Sequence, residues 1–108
     1  MAFKSLATPS IGTSGSPSTV TATVSAGNTA TVIGLSLANI VSTAITVSAK
    51  LNKSGGSSSF LIKDATVLPG GTLVIVGGDQ KVVLEAGDTI TAYASGSASA
   101  DAIASYLA

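Results

Sequence analysis

The sequence predicts an all-β fold: an antiparallel β-sandwich, jelly-roll or immunoglobulin-like, of about seven to eight short strands. Three observations carry this expectation. Apolar and polar residues alternate with a period of two, most cleanly where Ile45, Val47, Ala49 and Leu51 interleave with Thr46, Ser48, Lys50 and Asn52. Turn chemistry built from Gly, Asp, Asn, Ser and Pro recurs about every eight to twelve residues. No segment reads as a helix. The stretch from Gly70 to Ala94 shows all of this at once, with apolar runs Leu73 to Val76, Val82 to Leu84 and Ile90 to Ala94. They are separated by Gly77-Gly78-Asp79 and Glu85-Ala86-Gly87-Asp88. Glycine takes the positive φ of tight turns and aspartate bonds its own following backbone, so the stretch reads strand, turn, strand, turn, strand.

In chain order, residues 1–18 are expected to form a flexible arm, because Ala7 to Ser18 is almost entirely Ser, Thr, Gly and Pro. Such an arm can become ordered on a neighbouring subunit. Its removal through Ser16 is expected to leave the remaining domain folded. Residues 19–108 are expected to form the sandwich. Val20, Ala22 and Val24 alternate with threonines as a first strand, and Ser25-Ala26-Gly27-Asn28 is a turn. Thr29 to Ala38 is a second strand whose apolar phase slips, which implies burial of both faces or a bulge near Gly34. After the connection Asn39 to Ala44 comes the strand from Ile45. The Lys53 to Ser59 loop then returns Phe60-Leu61-Ile62 as an antiparallel hairpin partner. Pro69-Gly70 matches the central pair of a type II turn. Ala100 to Ala108 is read as a last strand, since Ile103, Ser105 and Leu107 alternate with Ala104 and Tyr106, although its alanines would also suit a helix.

Composition narrows the function. The 108 residues are enough for one domain with its own core. Cysteine and histidine are both absent. That removes disulfides, thiolate chemistry, the usual general base and the commonest transition-metal ligand. Five lysines balance five acids and there is no arginine, so the electrostatic footprint of nucleic-acid binding is missing. No long apolar run follows Lys4, so neither a secretory signal nor a transmembrane helix is expected. With so few charges among so many Ser, Thr, Ala, Gly and Val, the surface has little electrostatic defence against association.

The candidate constellations are weak. Asp64, Asp79, Glu85 and Asp88 could in principle serve acid–base chemistry or hold calcium, but they fall in turns and do not follow the calcium-loop pattern. They are read as solvated turn acids. Gly77-Gly78-Asp79-Gln80-Lys81 lacks phosphate-loop spacing and a following helix, and is read as a hairpin turn. The serines have no histidine with which to form a triad. Lys50, Lys53, Lys63 and Lys81 are read as solvated strand-edge charges that discourage stray pairing. Phe60, Tyr93 and Tyr106 could form a ligand platform, though core or interface packing accounts for them more simply. No catalytic, cofactor-binding or metal-ligating residue is assigned, and no enzyme activity, cofactor or small-molecule substrate is expected.

Several runs resemble small structural proteins of tailed bacteriophages. These are Val32-Ile33-Gly34-Leu35-Ser36-Leu37-Ala38-Asn39, Ile45-Thr46-Val47-Ser48-Ala49 and Phe60-Leu61-Ile62-Lys63-Asp64-Ala65. They continue through Pro69-Gly70-Gly71, Gly77 to Leu84, Ala86-Gly87-Asp88-Thr89-Ile90 and Asp101 to Leu107. The resemblance implies a β-sandwich of the virion, made in the host cytoplasm, without catalytic residues. It implies first a capsid decoration, or cement, protein bound to the major capsid protein as a homo-oligomer, with a trimer favoured. A neck, tail or baseplate component is the alternative. A carbohydrate-binding adsorption module, which would need exposed aromatic rings, is the second.

Overall fold

The computed structural model describes residues 2–108. It contains nine strands: β1 (Phe3–Thr8), β2 (Ser18–Thr19), β3 (Ala30–Asn39), β4 (Ile45–Asn52), β5 (Ser58–Val67), β6 (Thr72–Val76), β7 (Val82–Leu84), β8 (Thr89–Ala94) and β9 (Ala100–Leu107). The fold is an all-β sandwich, as the alternation predicts. One sheet runs β1-β9-β3-β6 with β7 also paired to β3, and the other runs β2-β8-β4-β5. Every pairing is antiparallel. Among the described residues there is no helix long and apolar enough to cross a membrane.

The connectivity resolves the choice between sandwich types. β6 and β7 pair with successive parts of β3, at Leu35 to Ala38 and Ala30 to Val32, and act as one strand interrupted at residues 77–81. Counted so, the chain is a long hairpin in which β1 pairs β9, β2 pairs β8, β3 pairs β6 and β7, and β4 pairs β5. Rolling that hairpin brings β9 onto β3 and β8 onto β4. This is a jelly roll. The Gly77 to Lys81 segment is therefore not a hairpin turn, because the strands on either side of it lie end to end on one neighbour.

The inward faces build one core. Val32, Leu35 and Leu37 of β3, Val47 and Ala49 of β4, Ile90 and Ala92 of β8, and Ala100, Ala102 and Ala104 of β9 are all nearly inaccessible. Register sets large beside small: Leu35 lies opposite Ala104 and Leu37 opposite Ala102. Such alternation fills a core without voids or overlap. The slip of apolar phase in β3 is a bulge, with the β9 register shifting between Val32 and Gly34. Leu68-Pro69-Gly70-Gly71 is the expected type II turn, closed by Gly71 N–H donating to Leu68 O with Gly70 at φ 74°.

Two expectations are corrected. Of the expected arm 1–18, residue 1 lies outside the described residues, and residues 2–18 are not a free arm. β1 forms the edge of a sheet, and Ile11 is fully buried, its N–H donating to Ala100 O and its carbonyl accepting from Ala98 N–H. One isoleucine among polar neighbours anchors the segment where it crosses from β1 to β2. At Gly12 a Cβ would lie 2.0 Å from Ser16 O, so only glycine permits this crossing. Residues 20–29, expected to begin as a strand, instead run irregularly beside β8. Val20 N–H still donates to Ile90 O, but Ile90 N–H donates to the Thr21 hydroxyl, so a side chain takes the place of a ladder partner.

Leu37→Ala is expected to destabilise the fold by about 2–5 kcal/mol, while Ile103→Ala on the outward face of β9 is expected to change it by less than about 0.5 kcal/mol. Urea unfolding midpoints of the two variants check the assignment of faces. Deletion of residues 1–16 removes β1 and Ile11, and is now expected to lower the melting temperature sharply rather than leave the domain intact.

Candidate functional site

The acids expected to be solvated in turns separate once folded. Asp79 and Glu85 are exposed, whereas Asp88 is 1% accessible. Its position follows from the type II turn Glu85-Ala86-Gly87-Asp88, in which Asp88 N–H donates to Glu85 O and Gly87 takes φ 83°. The turn folds the carboxylate back under itself. Oδ2 accepts from Glu85 N–H at 2.9 Å and from Lys53 Nζ, and Oδ1 accepts from Ser54 N–H at 3.0 Å. Lys53 also donates to Glu85 at 2.9 Å. Lys53 is thus a clasp between the 53–57 loop and the 85–88 turn, not a solvated edge charge.

The Lys53 ammonium, followed by the Glu85 N–H, holds the Asp88 carboxyl below its ordinary value of 3.8 despite the opposing effect of burial, with the Ser54 N–H adding to the shift. The hydrogen bond from Asp88, then that from Glu85, raises Lys53 above its ordinary 10.5. Both carboxylate oxygens of Asp88 accept from donors of the chain itself, so the cluster ties two loops together. Among the described residues no group of His, Cys, Asp or Glu could hold a metal ion.

Asp64 lies within β5, not in a turn. At a bulge opposite Ser48 it takes φ 51°, with its N–H donating to the buried Ser48 hydroxyl at 2.8 Å and its Oδ1 accepting from that hydroxyl at 3.3 Å. Asn39 is a buried hub that sequence reading missed. Its Nδ2 donates to Thr43 O and Val67 O, and its Oδ1 accepts from Val41 N–H. An asparagine next to a connection was visible in the sequence, but its long-range partner Val67 was not.

The aromatic residues do not converge. Phe60 and Tyr93 sit in the β2-β8-β4-β5 sheet and Tyr106 in the other. Lys50 Nζ stands 4.8 Å, and Lys63 Nζ 5.6 Å, from the Phe60 ring centre, so that ring carries two cations of its own chain. Tyr106 lines an open recess with Lys4 and Asn28.

What distinguishes the molecule is the contrast between its two outer faces. The outer face of the β2-β8-β4-β5 sheet presents Lys50, Asn52, Asp64, Thr89 and Thr91 together with Phe60 and Tyr93, which follow from the register of its strands. The outer face of the β1-β9-β3-β6 sheet presents Phe3, Val74, Val83 and Ile103 among Ser5, Ala7, Ser36 and Ala38. Those first four are 78%, 65%, 54% and 53% accessible, and the one ionised side chain of that face, Asp101, is engaged by Ser10 N–H. Four exposed apolar side chains on a charge-poor sheet make this face the candidate interaction surface. Comparison with known proteins gives no match: no protein-family model, curated protein sequence or solved structure is similar to this chain.

Gly87→Val is expected to destabilise by about 1–3 kcal/mol from the left-handed backbone alone. The new Cβ would also meet Ser54 Cβ at 2.8 Å; thermal melts check the loss. Because the Asp88 pKa is depressed on folding, its contribution to stability is complete above its ordinary 3.8 and is lost as pH falls through the folded value. Asp88→Asn should lower stability at neutral pH and flatten the acid limb of the stability curve, measured by urea unfolding from pH 7 downward.

Proposed function

We propose that this chain is a structural protein of a tailed-phage virion, a capsid decoration protein that binds the outer surface of the major capsid shell. The observation that carries the reading is the charge-poor outer face bearing Phe3, Val74, Val83 and Ile103. It is an assembly surface on a molecule whose polar clusters are spent on holding its own loops. The resemblance of the β3, β4, β5 and β9 sequences to small phage structural proteins supports it. The jelly roll supports it more loosely, since viral capsid proteins and lectins both use that architecture. A carbohydrate-binding role fits less well, because Tyr106 lies in the other sheet and Phe60, which shares an outer face with Tyr93, has Lys50 and Lys63 over its ring.

The mechanism is mechanical. A protein that binds only the assembled shell stabilises it by mass action, because capsomers cannot separate without losing the added contacts. Contacts through apolar and small side chains bury area without charge pairing, so attachment should be insensitive to salt, unlike association steered by charge.

The test is co-sedimentation of the purified protein with shells lacking it, at low and high salt. Wild type is expected to bind equally in both, and Val74→Asp with Ile103→Asp to stay folded and lose binding. Recovery of the protein from fractionated virions with tails instead of shells would move it to the neck or tail.

A further inference from the structure

We infer that β1 is a pairing edge for a second copy of this chain, joined antiparallel about a twofold axis at Ser5. The evidence is the direction of its backbone groups. Next to β1, Ala2 N–H donates to Ala108 O at 2.7 Å and Ala108 N–H donates to Ala2 O at 3.0 Å. Antiparallel ladders alternate strictly, so Lys4, Leu6 and Thr8 also turn their N–H and C=O groups toward β9. Phe3, Ser5 and Ala7 turn theirs to the open edge of the sheet. The same three side chains lie on the charge-poor outer face, and all three residues are exposed.

This arrangement is self-complementary. With Ser5 opposite Ser5 of the second copy, Phe3 meets Ala7, and every outward group of one edge faces an outward group of the other. The three narrow pairs make about six N–H···O=C bonds. A shift of one residue sets outward groups against inward ones, and a shift of two toward the C-terminus sets Phe3 against Pro9, which has no N–H. Lys4 falls opposite Leu6, so the two lysines do not oppose one another.

The other sheet edges are protected and this one is not. β5 carries register shifts on either side of Ala49, with Lys63 and a left-handed Asp64 at one bulge. β6 and β7 are short and are separated by the exposed turn that holds Asp79 and Lys81. β2 has two residues. β1 pairs with β9 over six residues without a bulge, and its one charge, Lys4, points away from the outer face beside Tyr106. Natural proteins blunt exposed edges with bulges, charges and short strands, so a flat, weakly charged edge is one that is used. Pairing makes one continuous sheet across the two copies and merges their apolar outer faces.

The test uses the full chain. Light scattering on a sizing column should give twice the 10.4 kDa chain mass. Because the chain lacks cysteine, Ser5→Cys introduces a single thiol on the axis, where the Cα separation of a narrow pair is about 5.5 Å and allows a disulfide. Mild oxidation should link Ser5→Cys copies and leave Thr72→Cys, on the far edge of the same sheet, unlinked. Ser5→Pro removes only an outward N–H, which edge strands tolerate. At concentrations where both are monomeric it should melt like wild type, and its dimer should dissociate at least about tenfold more readily. A monomer at every concentration, a trimer, or equal cross-linking at Ser5 and Thr72 overturns the pairing. The pairing is independent of the decoration role: a twofold pair that fails to bind shells would refute that role and leave this inference standing.

Discussion

The sandwich depends on β9 lying between β1 and β3. Both edges of that strand are used, with Leu107 lying in register opposite Phe3 on one side and Thr31 on the other. Its buried inward residues are Ala100, Ala102 and Ala104, with the half-buried Tyr106 following on the same face. Alanine at 102 and 104 leaves room for Leu37 and Leu35 of the neighbouring strand, and a larger residue there would compete with them for the same volume. Closure of the roll therefore needs a strand that is small inside and able to bond on both edges. The pairing of β1 with β9, far apart in sequence, makes such topologies slow to fold relative to helical ones.

The same constraint explains how polar groups are distributed. A core of aliphatic and small residues cannot satisfy polar side chains, so the few that are buried sit at the margins and are completed by backbone. Asp88, Ser48 and Asn39 each answer a break in regular pairing: a tight turn, a bulge and a connection. No buried side-chain nitrogen or oxygen among the described residues is left without a partner. What is left over for the outside is unusually bare. The few charges fall mostly on one sheet and at the loops, and the other sheet meets solvent with valine, isoleucine and phenylalanine. A surface of that kind and an unprotected strand at its edge are compatible with each other, since both are resolved by association.

Much of the fold was legible in the chain. Period-two alternation identified β4 and β9, apolar runs between turns identified β6, β7 and β8, and the bulge at Gly34 was visible as a slip in apolar phase. The turns at Gly27, Gly70 and Gly87 all place glycine at positive φ, as their neighbours implied. These features depend on residues close in sequence, whose preferences act before any tertiary contact forms. The errors share one cause. The segment around Ile11 reads as a disordered arm because its composition is polar, yet one buried side chain and bonds to Ala100 and Ala98 hold it. Thr19 to Val24 alternates like a strand, but the Thr21 hydroxyl displaces a ladder bond.

The sequence by itself determined the all-β class, the turn positions and the absence of histidine, cysteine and arginine chemistry, because each is a property of local residue type and spacing. Tertiary structure alone decided that Asp88 is a buried clasp with Lys53, that β6 and β7 share one partner, and that apolar residues scattered from Phe3 to Ile103 meet on one face. Those outcomes depend on which strands become neighbours. Strand neighbours in a rolled hairpin are set by closure of the whole chain, which no short window of sequence contains.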